Sequence, residues 1–136
     1  MFRVVLTGLL LSLATIHGYW ARGGTWPGSD SPTLLEKVVG LRTRAGEQGR
    51  VLAPWTCWLV ALLFAIDAVL VVLYPWILHP NLRLAYWMSA GVFLLRGLLG
   101  YSPLFEYARA TPFYNLNRRL YSPLCLFMAW LHWLAR

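Results

Sequence analysis

The sequence predicts an all-α fold, an integral membrane four-helix bundle with a long first loop and a short last span. Three observations predict it. The chain has 136 residues, 59% of them hydrophobic and 12% charged, against about 25% charged in an average soluble domain. Its mean hydropathy is +0.55. The apolar residues gather into four runs, at about 2–20, 53–74, 82–101 and 120–135. Charge depletion combined with long apolar runs makes lipid the expected solvent. Residues 1–136 read as one transmembrane domain, with no length left for a separate soluble catalytic unit.

The first span runs from Phe2 to Trp20. Arg3 followed by Val4–Ile16 has the outline of a secretory signal. Cleavage needs small residues in an A-x-A-like arrangement, and Ile16-His17-Gly18-Tyr19-Trp20 offers a poor one. The expectation is an uncleaved span, with Tyr19 and Trp20 at the membrane interface where amphipathic rings prefer to sit. Gly8 and Ser12 form a small-x-x-x-small pair able to pack on a helix of the same chain or another, so the oligomeric state stays open.

Residues 21–50 form the longest polar stretch. Gly23-Gly24 and Pro27-Gly28 punctuate a loop. Ser31-Pro32 then reads as an N-cap followed by a proline at the first helical position. Leu34, Leu35, Val38 and Val39 fall on one face, which predicts a short surface helix against the headgroups; an irregular loop is the alternative. The second span carries one charge, Asp67. Pro75 and Pro80 bracket a short connection to the third span, which contains Arg96. Ser102-Pro103 opens a short helix through Ala108. The fourth run, Leu120–Ala135, falls short of the roughly 20 residues of a full crossing. Ser122-Pro123 reads as its start, bilayer thinning would let it cross, and a re-entrant segment is the alternative.

Four spans place both termini and the connection near residues 75–82 on one side, with Arg3, Arg83 and Arg136. The opposite, loop side carries Arg22, Lys37, Arg42, Arg44, Arg50, Arg109, Arg118 and Arg119. The net charge of +7 therefore concentrates in loops, where it meets anionic headgroups. No zinc-finger spacing, RNA-binding motif or basic helix supports a nucleic-acid partner. The excess of loop-side bases predicts cytoplasmic loops and external termini.

Helical rise converts position into depth. His17, Trp20, Arg96, Tyr101, Tyr121 and Ser122 are expected to converge just inside the loop-side interface. Ser89, Phe93, Arg96 and Gly100 share a stripe that faces the bundle, because an arginine aimed at lipid is costly. Asp67 lies deeper. Counting from opposite ends brings His132 to its level, which predicts an Asp67–His132 hydrogen bond. Intramembrane ionisable residues are functional candidates. The plainer reading is a polar pair that fixes helix register.

Three motifs carry a family resemblance. His17-Gly18-Tyr19-Trp20-Ala21-Arg22-Gly23-Gly24-Thr25-Trp26-Pro27 resembles the end of the first span in a bacterial membrane family catalogued as domain of unknown function 3995. Gly91-Val92-Phe93-Leu94-Leu95-Arg96-Gly97 resembles its third span. Phe113 through Leu126, with Tyr121-Ser122-Pro123-Leu124-Cys125, resembles its last motif. The likeness covers nearly the whole chain in order. It implies a four-span fold and no assigned activity. That family often has an Asp shortly before its Tyr-Ser-Pro; Asn117 stands at the matching position, so a carboxylate acting there in relatives would be missing here.

Several chemistries are poorly supported. His17, His79 and His132 are scattered in depth, without the spacing of a metal site. No G-x-S-x-G, P-loop or G-x-G-x-x-G occurs, and no cofactor is expected. Cys57 and Cys125 fit buried small hydrophobes better than a redox pair. What remains is an aromatic and cationic set, His17, Trp20, Trp26, Arg96, Tyr101 and Tyr121, suited to a lipid-like ligand with an anionic head. Three functions compete: non-enzymatic binding of an amphiphile or membrane partner in a loop-side cleft; an enzyme acting on an isoprenoid, sterol or phospholipid, with His17 as acid/base and Arg96 holding an anion; and a transport or channel component using Asp67 and His132.

Overall fold

A computed structural model describes residues 1–42, 53–76 and 79–136. Arg44, Arg50 and the Ile77-Leu78 part of the second connection lie outside the described residues. The described chain is helical. Helix α1 spans Phe2–Ala21 and α2 spans Ser31–Val38. Helix α3 spans Pro54–Leu73 and runs into a 3₁₀ turn, Tyr74–Trp76. Helix α4 spans Pro80–Leu99, and a 3₁₀ segment follows at Pro103–Ala108. Helix α5 spans Pro112–Leu116, a π turn occupies Asn117–Tyr121, and α6 spans Ser122–Ala135. Three helices are long and apolar enough to cross a membrane: Phe2–Ala21, Pro54–Trp76 and Pro80–Leu99.

The first three apolar runs become helices at nearly their expected bounds. Two helix starts differ. The cap of α2 is Asp30, one residue before Ser31. Its Oδ1 accepts from the Thr33 amide at 2.9 Å and from Thr33 Oγ1 at 2.7 Å, while Thr33 Oγ1 also accepts from the Asp30 amide. This reciprocal box satisfies amides that have no partner inside the helix. The Thr33 hydroxyl and amide together hold the Asp30 carboxyl below the ordinary carboxylate value. Ser122 does not cap α6 either. Tyr121 and Ser122 both have helical backbone angles, so α5, the π turn and α6 form one helical path over 112–135. At about 1.5 Å per residue that path is roughly 36 Å long, so the last helix is not limited to the apolar run.

Four of the helices build the core. Helix α1 packs chiefly on α3 and α4 on α6, and contact between α1 and α6 joins the two pairs. Leu6 and Leu10 of α1 meet Val71 of α3, Tyr86 and Phe93 of α4, and Met128 and Leu131 of α6. Lipid tails are as apolar as these side chains, so close packing and hydrogen bonds hold such helices together rather than escape from water. Gly100 lets α4 approach α6: a Cβ there would overlap Ser122 Oγ. At the far end, Arg3 Nε donates to Ala135 O at 2.7 Å and Arg3 Nη2 to Arg136 O at 3.3 Å. These carbonyls have no acceptor role within the helix, as in any last turn. Gly8 and Ser12 lie on an open face, where a Cβ added at Gly8 would meet nothing within 4 Å.

The described loop-side segments fold into a packed layer over the helix ends. Leu34 and Leu35 of α2 are buried with Ala108 and Phe113. Gly40 ends α2 with φ +78°, and its amide bonds Leu35 O at 3.0 Å. A Cβ at Gly40 would press to 2.6 Å from Ala108 and 2.8 Å from Phe113. Space and backbone angle both require glycine there. Long-range hydrogen bonds tie the layer together: Tyr107 to Val39 O at 3.0 Å, Tyr121 to Lys37 O at 3.1 Å, and Arg42 to Ala110 O at 2.7 Å.

Candidate functional site

The residues expected to form one cleft occupy separate places. His17 lies in the last turns of α1, where its Nδ1 faces Leu13 O at 2.8 Å. Its ring packs edge-on to Trp20 and tilts against Phe64. His17 and Trp20 line a small cavity of about 150 Å³ with Val38, Val39, Thr56 and Cys57. Trp20 Nε1 donates to Trp26 O at 2.6 Å, and the Trp26 ring itself is 63% exposed. Among the described residues no hydrogen bond or ring contact joins His17 to Arg96.

Arg96 belongs to a different cluster. Its Nη2 donates to Asn117 Oδ1 at 2.9 Å, and its guanidinium lies 5.0 Å from the Phe105 ring centre. Asn117 is fully buried in the π turn. Its Nδ2 donates to Gly100 O at 2.9 Å, and its Oδ1 also accepts from Ser122 Oγ at 3.3 Å. One amide thus meets a cation, a helix-end carbonyl and a hydroxyl. A carboxylate could accept as well but could not donate to Gly100 O. Arg96 Nη1 is buried and has no hydrogen-bond partner among the described residues. Tyr121 is turned toward α2 through Lys37 O. Tyr101 is exposed, with its hydroxyl donating to Arg118 O at 3.2 Å. The depth argument placed these residues near one face, but it contained no azimuth, and the rotation of each helix separates them.

Asp67 and His132 are brought together. His132 Nε2 lies 3.2 Å from Asp67 Oδ2 and 3.3 Å from Oδ1. Both residues are buried, His132 completely. Ser89 Oγ donates to Asp67 Oδ2 at 2.6 Å, and the Tyr86 hydroxyl donates to His132 O. Asp67 of α3 therefore links α4 and α6, the pair of helices that α3 otherwise touches lightly. Spacing puts Ser89 on the inward stripe, and the structure adds that it is the second hydrogen-bond partner of Asp67. Cys57 and Cys125 are both free thiols.

A larger cavity went unnoticed in the sequence. A groove of about 450 Å³ runs between α1 and α3. Its floor is made of small residues, Ala14 and Gly18 from α1 and Ala61 and Ala65 from α3, with Leu11 at the deep end. Arg22 and Trp58 stand at the loop-side end, with the guanidinium 5.4 Å from the ring centre. The i, i+4 spacing of small residues on both helices was the available signal.

The family described as Protein of unknown function (DUF3995) matches residues 10–132. The chain belongs to that family. As a DUF3995 protein it carries all three quoted motifs within the matched region, including Asn117 and the Arg96 that it holds. No curated protein and no solved structure matches the chain.

Proposed function

We propose that this DUF3995 protein is a non-enzymatic component of a bacterial inner membrane, crossing it with α1, α3, α4 and the 112–135 helix, that binds a lipid-like amphiphile with an anionic head at its loop-side face. The observation that carries this reading is the packed loop-side layer. Idle loops do not need a buried interior or long-range hydrogen bonds. Here Leu34, Leu35 and Phe113 form such an interior, and the exposed side chains above it are strongly basic. Arg22, Arg109, Arg118 and Arg119 are all exposed. Guanidinium groups on a fixed scaffold recognise phosphate and carboxylate with little reorganisation. Trp26 and Tyr101, both exposed, supply rings at headgroup level. His17, Trp20, Arg96 and Tyr121 support this face from beneath.

The enzyme reading has less behind it. The His17 cavity is smaller than the 300–1,000 Å³ typical of small-molecule sites, and Arg96 does not line it. Transport through Asp67 and His132 has no supporting observation, since neither residue lines either cavity described above.

The test is thermal unfolding in nanodiscs of phosphatidylcholine, with and without phosphatidylglycerol. A ligand that binds the folded state raises Tm with its concentration. The expected result is a Tm that rises as phosphatidylglycerol is added and falls back at high salt. An unchanged Tm across the series sinks the proposal.

A further inference from the structure

We infer that the groove between α1 and α3 seats one acyl chain of an anionic phospholipid, with the phosphate held by Arg22. The inference rests on the amphiphile-binding reading above and names its site and ligand class.

Three properties of the groove support it. Its length fits one leaflet. From Leu11 to Arg22 is eleven helical steps, about 16 Å at 1.5 Å each, and half of a roughly 30 Å hydrocarbon core is about 15 Å. Its floor is shallow because Ala14, Gly18, Ala61 and Ala65 present almost no side chain. A Cβ at Gly18 would sit 3.7 Å from the Trp58 ring, in ordinary contact. Gly18 is buried beside that ring, and a flexible chain would run past Ala14 and Ala65 and alongside Trp58 toward Arg22. Its loop-side end is charged. Arg22 is exposed; its amide closes the end of α1 on Tyr19 O at 3.2 Å, and among the described residues its guanidinium makes no hydrogen bond and no ion pair, only the contact with the Trp58 ring. Stacking on the ring holds the guanidinium beside the groove mouth while leaving its donors free for phosphate oxygens. A second copy of this chain seated in the same groove would instead bring another basic face against Arg22.

Native mass spectrometry tests this. Protein is reconstituted in nanodiscs of phosphatidylcholine and phosphatidylglycerol, released, and the retained lipid identified. Wild type is expected to keep one phosphatidylglycerol in preference to phosphatidylcholine. Arg22→Gln should reduce that preference about fivefold, the effect of one basic residue at a membrane surface. Ala14→Leu with Ala65→Leu, which fills the floor and leaves Arg22 in place, should remove retained lipid of both kinds. Both changes lie on a membrane-facing surface, and an unchanged helical circular-dichroism signal confirms folding. Equal phosphatidylglycerol retention in wild type and both variants overturns the groove site while leaving the broader reading intact. No preference in wild type overturns both. A dimer lost on filling the groove overturns the lipid in favour of a second copy.

Discussion

Met128 O can accept a hydrogen bond but not donate one, so the His132 Nδ1 that faces it at 2.8 Å carries a hydrogen. The other ring nitrogen faces the Asp67 carboxylate. That contact needs one proton, on Nε2 or on the carboxyl, and in both forms the pair has no net charge. Neutrality as a unit is what allows two ionisable groups to sit inside an apolar core, where an isolated carboxylate would be very costly. Ser89 completes the arrangement by donating to the same oxygen. Replacing Asp67 by Leu leaves His132 Nε2 and the Ser89 hydroxyl without their partner. The expected loss is about 1–3 kcal/mol, the usual penalty for an unsatisfied buried polar group. It is read as a lowered Tm in detergent, and Asp67→Asn, which retains an acceptor, should lose less. Equal Tm for wild type and Asp67→Leu would exclude a structural role for the pair. This contact was legible in the sequence because depth is a one-dimensional quantity: residues counted inward from opposite ends of two spans reach the same level.

Among the elements, the last helix shows where such counting stops. Ser-Pro is a common helix start, and Ser102-Pro103 behaves that way, with Ser102 Oγ accepting from the Leu104 amide. Ser122-Pro123 has the same letters and lies inside a continuous helix. The difference is the π turn before it. The Ser122 amide bonds Asn117 O, five residues back, so the backbone register changes just before Pro123, which has no amide hydrogen to offer. A proline that would break a regular helix is accommodated where the ladder is already interrupted. Local sequence does not distinguish the two cases, because the wider turn is held by distant groups, Arg96 and Gly100. Asn117→Leu should therefore act on the element as a whole. It leaves the Arg96 donor and Gly100 O unpaired, and a loss of about 2–5 kcal/mol is expected from two such groups. Hydrogen exchange should show faster opening across 112–121 than in α1. Protection equal to wild type in that segment would mean that the π turn does not depend on Asn117.

At the scale of the whole molecule, the two faces differ in kind. The loop side is a folded layer with exposed arginines, whereas the described connection on the other side is a single 3₁₀ turn and a His79 cap. The excess of loop-side Lys and Arg expects that layer in the cytoplasm. Arg109, with its side chain 71% exposed, is a suitable reporter in a Cys57→Ala, Cys125→Ala background. An Arg109→Cys thiol should resist an impermeant maleimide in intact cells and react once the membrane is opened. Labelling in intact cells would invert the topology. That three of the four apolar runs become long apolar helices could be read in advance, because it depends on composition over some twenty residues. The grouping of His17 with Arg96 could not, because it depends on how each helix is rotated about its axis.

The clasp of Arg3 on Ala135 O and Arg136 O has a consequence for biosynthesis. Its two halves, Arg3 and Ala135, are 132 residues apart in the order of synthesis. At roughly 5–20 residues per second, the ribosome needs about seven to thirty seconds to travel between them. For that interval the first helix lies in the bilayer without α6, and Leu6 and Leu10 face lipid where they later face Met128 and Leu131. The hairpin with α3 can form during translation. Closure against α6 must wait until α6 itself has been made, which puts it after the pairing of α1 with α3.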